Sequence, residues 1–360
     1  MIRTNTDAVR GHYAEEYHPN TEELGKEEMR VTALGTGRPF LRRSQANASW
    51  LIELGNGDKF VFDFGFGSQM NFTALEIPYN DITAWFASHL HTDHVGDFGQ
   101  VWIGSWAGGR LKPLEVYGPS GPEEKYGFRH FIEKQKESYA WDTATRVGLL
   151  PAIGAEVNVH EFDYSKAHTV YEQNGVTISC FPAVHIYDGP VSLKLEWNGL
   201  TFVYSGDTTP SNFMVENAQG ADVLIHETFN TVGQLMERSG YDERTARGIG
   251  TMAHSDPGEA ASVVAKCDPR LFVAFHFFND FDTAPEMETE IRKHWKGPLA
   301  LATDFMVINV TKDIIVQRMA VISNHVWPNK ARHAGFATAE RKERMQMSAW
   351  LREKEVYPKG

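Results

Sequence analysis

Four potential metal ligands crowd into six residues, His89-Leu90-His91-Thr92-Asp93-His94, directly after the apolar run 82–88. A strand running into a tight loop presents alternate imidazoles on one side and leaves the carboxylate and the next imidazole on the turn. Imidazole together with carboxylate suits zinc or a similar borderline divalent ion. A single catalytic ion must keep an open position, so four donors in one loop point to two ions side by side. In a chain with 15 histidines a lone H-x-H would carry little weight; the aspartate and third histidine at these offsets supply it.

A two-ion site needs about three further donors, delivered by other strand ends. His185 closes the apolar run 178–184, Asp207 follows Phe202-Val203-Tyr204-Ser205-Gly206, and His276 follows 271–275. The elements that must carry these groups read as short strands at 30–34, 49–54, 59–64, 82–88, 176–184, 191–197, 200–204, 270–275 and 305–310. Gly55-Asn56-Gly57-Asp58 and Trp197-Asn198-Gly199 read as hairpin turns. Helices are expected at 97–107, 123–138, 212–217 and 257–266, the last with Ser255 as N-cap, and a charge-rich one in the tail at 337–354. Strands in two halves, interspersed with helices, give an α/β layered sandwich. Residues 1–28 form an N-terminal extension, 29–319 the catalytic domain and 320–360 a C-terminal helical extension, and these additions allow a homo-oligomer.

Composition narrows the function classes. With 35 basic against 47 acidic residues the formal charge is −12, which opposes non-specific attachment to phosphate backbones. No apolar run is long enough for a membrane span, and residues 1–7 lack a secretory core, so the default location is cytoplasmic. Two cysteines, Cys180 and Cys267, sit in apolar sequence and read as core residues.

The chain resembles the metallo-β-lactamase superfamily, and within it the ribonuclease Z-like branch, from about residue 30 to 311. The anchors are Leu34-Gly35-Thr36-Gly37, Phe62-Asp63-Phe64-Gly65, the histidine loop, Tyr117-Gly118-Pro119, Ser205-Gly206-Asp207-Thr208, His226-Glu227, His254-Ser255 and Thr303-Asp304. That resemblance implies an αββα sandwich holding two zinc ions per chain. One ion would be held by His89, His91 and His185, the other by Asp93, His94 and His276, with Asp207 between them and a shared hydroxide as nucleophile. His254 and Glu227 would be the acid-base pair, with Asp93 counted beside them as well as among the ligands. Asp63 would orient a ligand histidine, while His226 reads as structural. Asp207 stands where several β-lactamase subclasses place cysteine, and His91 where the flavodiiron branch uses glutamate, so hydrolysis is favoured over redox chemistry.

For substrate the sequence reading leans away from RNA. Ribonuclease Z enzymes typically carry a tRNA-gripping arm between the equivalents of His185 and Asp207, and here those positions are 22 apart. Extra length lies instead between His94 and His185, with Trp102, Trp106, Tyr126, Phe128, Phe131, Tyr139 and Trp141; most read as core, a few as a wall over the metals. Stretches 157–164 and 276–280 are similar to ribonuclease Z-derived enzymes that open β-lactams. The expectation is therefore a dinuclear zinc hydrolase for a small amide or ester, β-lactams included; a phosphodiesterase or tRNA 3′-end endonuclease is the alternative, and a non-catalytic scaffold ranks last because no ligand is missing.

Overall fold

The computed structural model describes residues 13–327 and 335–356. Strands β1 (Met29–Gly35), β2 (Ser49–Leu54), β3 (Lys59–Phe62), β4 (Ala84–Phe86), β5 (Leu114–Pro119) and β6 (Val157–Phe162) join β14 (Met306–Val310) and β15 (Ile315–Met319) in an eight-stranded sheet ordered β15-β14-β1-β2-β3-β4-β5-β6. A second sheet of seven strands runs in the order β13 (Leu299–Leu301), β12 (Leu271–Phe275), β11 (Val223–Glu227), β10 (Leu200–Tyr204), β9 (Val191–Trp197), β8 (Val176–Pro182), β7 (His168–Gln173).

Period-two alternation decides how the layers stack. Trp50, Ile52, Phe60, Phe62 and Phe86 of the first sheet face Leu193, Leu195, Phe202, Tyr204 and Phe275 of the second, forming a buried inter-sheet core. Their neighbours Leu51, Val61, Trp85 and Val116 point the other way, against Phe72, Phe98, Trp102, Phe128 and Ile132 of the surrounding helices. Val203, Leu224, Phe272 and Ala274 do the same on the far side, under helices Asn212–Asn217, Pro257–Cys267 and Ala284–His294. The result is helix, sheet, sheet, helix.

Each sheet is part antiparallel and part parallel: β3 through β6 run parallel in one, β10 through β13 in the other. The C-terminal ends of β3, β4, β10, β11 and β12 therefore open onto one rim. In parallel sheets that rim is where ligands bind, because the loops there are free of the ladder.

Two loops are tied together beneath this rim by Asp304. Its Oδ1 accepts from the Thr36 amide at 3.1 Å and the Thr36 hydroxyl at 2.9 Å; its Oδ2 accepts from the Ala46 amide at 2.7 Å and Asn71 Nδ2 at 2.9 Å. An amide nitrogen in place of either oxygen would face donors. Asp304→Asn should lower unfolding free energy by about 3 kcal/mol in urea titration.

Local differences from the sequence reading have visible causes. Helix Pro257–Cys267 is capped by Asp256, which forms a capping box with Glu259; Ser255 is already engaged, its hydroxyl donating to the Thr208 carbonyl. Among the described residues of the stretch 337–354, α-helix is confined to Ala349–Arg352. Cys180 and Cys267 are buried free thiols, as expected.

Candidate metal centre

The histidine loop leaves β4 at Phe86, and Ser88 fixes its course. The Ser88 amide donates to Asp63 Oδ1 and its hydroxyl to Asp63 Oδ2, both at 2.7 Å. With that proton committed, Ser88 Oγ is an acceptor for His89 Nδ1–H at 3.1 Å, which turns the Nε2 lone pair of His89 inward. Asp63 Oδ2 also takes His94 Nδ1–H at 2.6 Å and the Tyr204 phenol at 2.6 Å. Burial and the Asp63 charge push the Tyr204 phenol well up, so it stays a donor. Asp63 adopts a left-handed backbone, φ 58°, as the chain turns out of β3. Gly206 has the same φ, and a Cβ there would lie 2.8 Å from Ser88 Cβ, so this position must be glycine.

Asp63 is thus the hub that sets two imidazole tautomers. Asp63→Asn should weaken metal retention about 10–100-fold in chelator competition, because the new amide nitrogen must confront at least one of these donors.

Seven side chains from four strand ends, those of β4, β8, β10 and β12, converge here. His89, His91, His185 and Asp207 present donor atoms within 4.8 Å of one another; so do Asp93, His94, His276 and Asp207, with Asp207 common to both groups. Asp207 Oδ2 lies 3.8 Å from His89 Nε2 and 3.7 Å from His185 Nε2, while Oδ1 lies 3.1 Å from His94 Nε2 and 3.5 Å from His276 Nε2. Asp93 Oδ2 is 3.1 Å from His276 Nε2, and His91 Nδ1 is 3.3 Å from His185 Nε2. The Ala253 carbonyl takes His185 Nδ1–H at 2.6 Å and leaves Nε2 for the centre. His276 reaches in from a left-handed backbone, φ 71°, a conformation a non-glycine residue holds at a cost of about 1 kcal/mol or more.

The donor set fits divalent cations on an independent observation. His89 Nε2, His94 Nε2 and Asp207 Oδ1 are buried and have no aligned hydrogen-bond partner, although each faces other polar atoms of the group. Buried polar atoms without partners are rare unless something else satisfies them. Burial and neighbouring imidazoles hold His89 well below the ordinary histidine range, its neutral ligating form. Burial alone would raise the Asp207 carboxyl, but the His276 and His94 imidazoles hold it well down.

Beside these groups lies the pair expected from the sequence. His254 Nδ1 is 3.0 Å from Glu227 Oε1, and that same oxygen accepts the Thr208 amide at 2.9 Å. Burial works against the His254 imidazolium, but the Glu227 charge and hydrogen bond raise its pKa above the usual value. The His254 ring stacks on Phe229, centroids 4.2 Å apart and 9° from parallel. His226 points away: its Nδ1 is 2.7 Å from the Glu227 carbonyl, and it joins neither donor group.

A cavity of about 440 Å³ opens over His89, His91 and His185. Of the insert aromatics, Tyr126 and Phe131 line it, together with Ile186, Tyr187, Lys125 and Lys134. Trp102, Trp106 and Phe128 are core, while Tyr139 and Trp141 lie outside the cavity on the surface. The segment between His185 and Asp207 is the β9–β10 hairpin, so no arm leaves the fold there.

Residues 59–277 match the family model described as the Beta-lactamase superfamily domain. The ribonuclease Z of Mycolicibacterium paratuberculosis is 31% identical over 261 residues, covering 69% of this chain and 86% of that protein. That of Mycobacterium marinum is 28% identical over 253 residues, with the same two shares. The fold is shared with human tRNase Z, short form, at TM-score 0.58, 21% identity and coverage of 78% and 98%, and with Bacillus subtilis YhfI at 0.59, 18% identity and coverage of 79% and 100%. The chain belongs to the metallo-β-lactamase superfamily, in its ribonuclease Z-like branch.

These relatives overturn the expectation of β-lactam ring opening, since they bear the name ribonuclease Z. The stretches that suggested it do other work. Residues 157–162 form edge strand β6, where His160 stacks on Tyr117 and hydrogen-bonds Glu115. After His276, Asn279 ties two backbone carbonyls and Asp280 pairs with Arg42. Neither is peculiar to an amide substrate.

Proposed function

We propose that this protein is a metal-dependent phosphodiesterase that cuts RNA, with the 3′ end of precursor tRNA as its first substrate to test. The observation carrying the reading is the Glu227–His254 pair set against a doubled donor group, in a chain whose relatives are ribonuclease Z. His89, His91 and His185 would hold one zinc ion and Asp93, His94 and His276 a second, with Asp207 shared. Two such cations would supply charge neutralisation at the phosphoryl group and an activated water.

The chain's own residues do the rest. Glu227, pinned by the Thr208 amide, holds His254 through Nδ1 and favours its protonated form. His254 then carries a proton at Nε2 to give to the leaving oxygen. Phe229 covers one face of that ring and keeps water from it. Tyr126 and Tyr187, exposed on the wall of the cavity, offer aromatic surfaces for a base.

Nucleic acid as partner replaces the small molecule that the acidic charge and the missing arm had favoured. Net charge is a property of the whole surface and does not exclude a basic flank beside the centre. No helix among the described residues is long and apolar enough to cross a membrane. Zinc-loaded protein should cleave precursor tRNA at the end of the acceptor stem, read on a sequencing gel. RNA left intact with zinc, manganese and cobalt alike would overturn the reading.

A further inference from the structure

An acidic chain without the usual arm must hold an RNA strand by some local group, and one cation near the centre lacks an ion-pair partner among the described residues. Arg38, in the loop after β1, lies with its guanidinium carbon 4.0 Å from the Phe278 ring centroid and 4.7 Å from that of Phe229. Its Nε is buried and makes no hydrogen bond, and among the described residues its guanidinium has no ion-pair partner. Arg42 lies over the same Phe278 ring at 4.6 Å; it pairs with Asp280 through Nη2, at 2.5 Å, while its Nη1 is buried without a partner. Of these two guanidiniums only that of Arg42 has a carboxylate partner among the described residues. A buried guanidinium nitrogen left without an acceptor is costly, and structures keep one where a ligand completes it.

Position names the ligand. Phe229, the ring under Arg38, is also the ring on which His254 stacks. The free guanidinium therefore stands one aromatic ring from the group placed at the leaving oxygen, and neither it nor that ring lines the Tyr126–Tyr187 cavity. A planar fork of donors fixed between aromatic rings matches a phosphate in two-point contact. We propose that Arg38, assisted by Arg42, binds a phosphate of the RNA strand flanking the cleaved linkage on the His254 side. This rests on the phosphodiesterase reading.

The experiment compares wild type, Arg38→Met and Arg38→Lys on two substrates, a precursor tRNA and bis(4-nitrophenyl) phosphate, which has no flanking phosphate. Methionine keeps an apolar stem against Phe278, and circular dichroism melts check that each variant folds. On RNA, Arg38→Met should raise KM at least about tenfold with kcat changed far less, the pattern of a lost ground-state contact. The loss on the small diester should be at least about tenfold smaller, and Arg38→Lys should recover part of the RNA loss. Binding of RNA to the metal-free protein should show a salt slope lower by roughly 0.7 in Arg38→Met, the share of one phosphate contact on a single strand. Equal losses on both substrates, or an unchanged salt slope, would overturn the assignment while leaving the phosphodiesterase reading in place. Wild type inert on both substrates would remove that reading, and the assignment with it.

Discussion

His254→Ala should lower kcat on precursor tRNA by about 10²–10⁴-fold, the usual contribution of a positioned general acid, while bound metal is retained. Glu227→Gln should give a smaller loss, because the imidazole stays in place but its protonated form loses the carboxylate 3.0 Å away. The pH profile separates this from simple damage. A general acid must be protonated to act, so wild-type rate falls as pH rises through the His254 pKa. Glu227 raises that pKa, so Glu227→Gln should move the alkaline limb to lower pH. In His254→Ala the limb should flatten. A variant that keeps both its rate and its limb would leave His254 as a wall residue, stacked on Phe229 and nothing more.

How far the sequence reached follows from what is local in it. Four of the donors lie in one loop, and their spacing alone announces a metal. Asp207 and His276 were legible because each directly follows an apolar run, and an apolar run is what a buried parallel strand looks like. The edge strands β6, β7, β13 and β15 escape the sequence reading for the opposite reason: half in solvent or only a few residues long, they lack that signal. Strands β5 and β11 enter it as motifs around Tyr117 and His226 rather than as elements. Backbone signs at Asp63 and His276 were not legible, since neither is glycine and only tertiary contacts impose a left-handed turn on them. The substrate misled for another reason. A missing arm and a negative total charge describe where RNA is not gripped, and Arg38, one of three arginines in the loop after β1, is set apart only when Phe229 and Phe278 close around it.

Asp207→Ala is expected to abolish turnover and to remove the protein's response to zinc, and the second effect is the more searching. In wild type the shared carboxylate lies within 3.8 Å of His89, His94, His185 and His276, so it belongs to both donor groups at once. A cation that binds the folded chain stabilises it in proportion to the logarithm of its concentration over Kd, about 4 kcal/mol at a thousandfold excess. Zinc should therefore raise the wild-type melting temperature by several degrees, and metal analysis should return about two ions per chain. Without Asp207 each group keeps three neutral or singly charged donors and neither keeps the bridge. Metal content should then fall to one ion or fewer per chain, with the zinc-induced shift mostly gone. The metal-free variant should be less stable than metal-free wild type, because it loses the contacts of this carboxylate with His94 and His276, so each protein's zinc response is read against its own metal-free melt. A variant that still took up two ions and still gained stability from them would show that the two groups bind independently, and that Asp207 is a neighbour of the centre rather than its keystone.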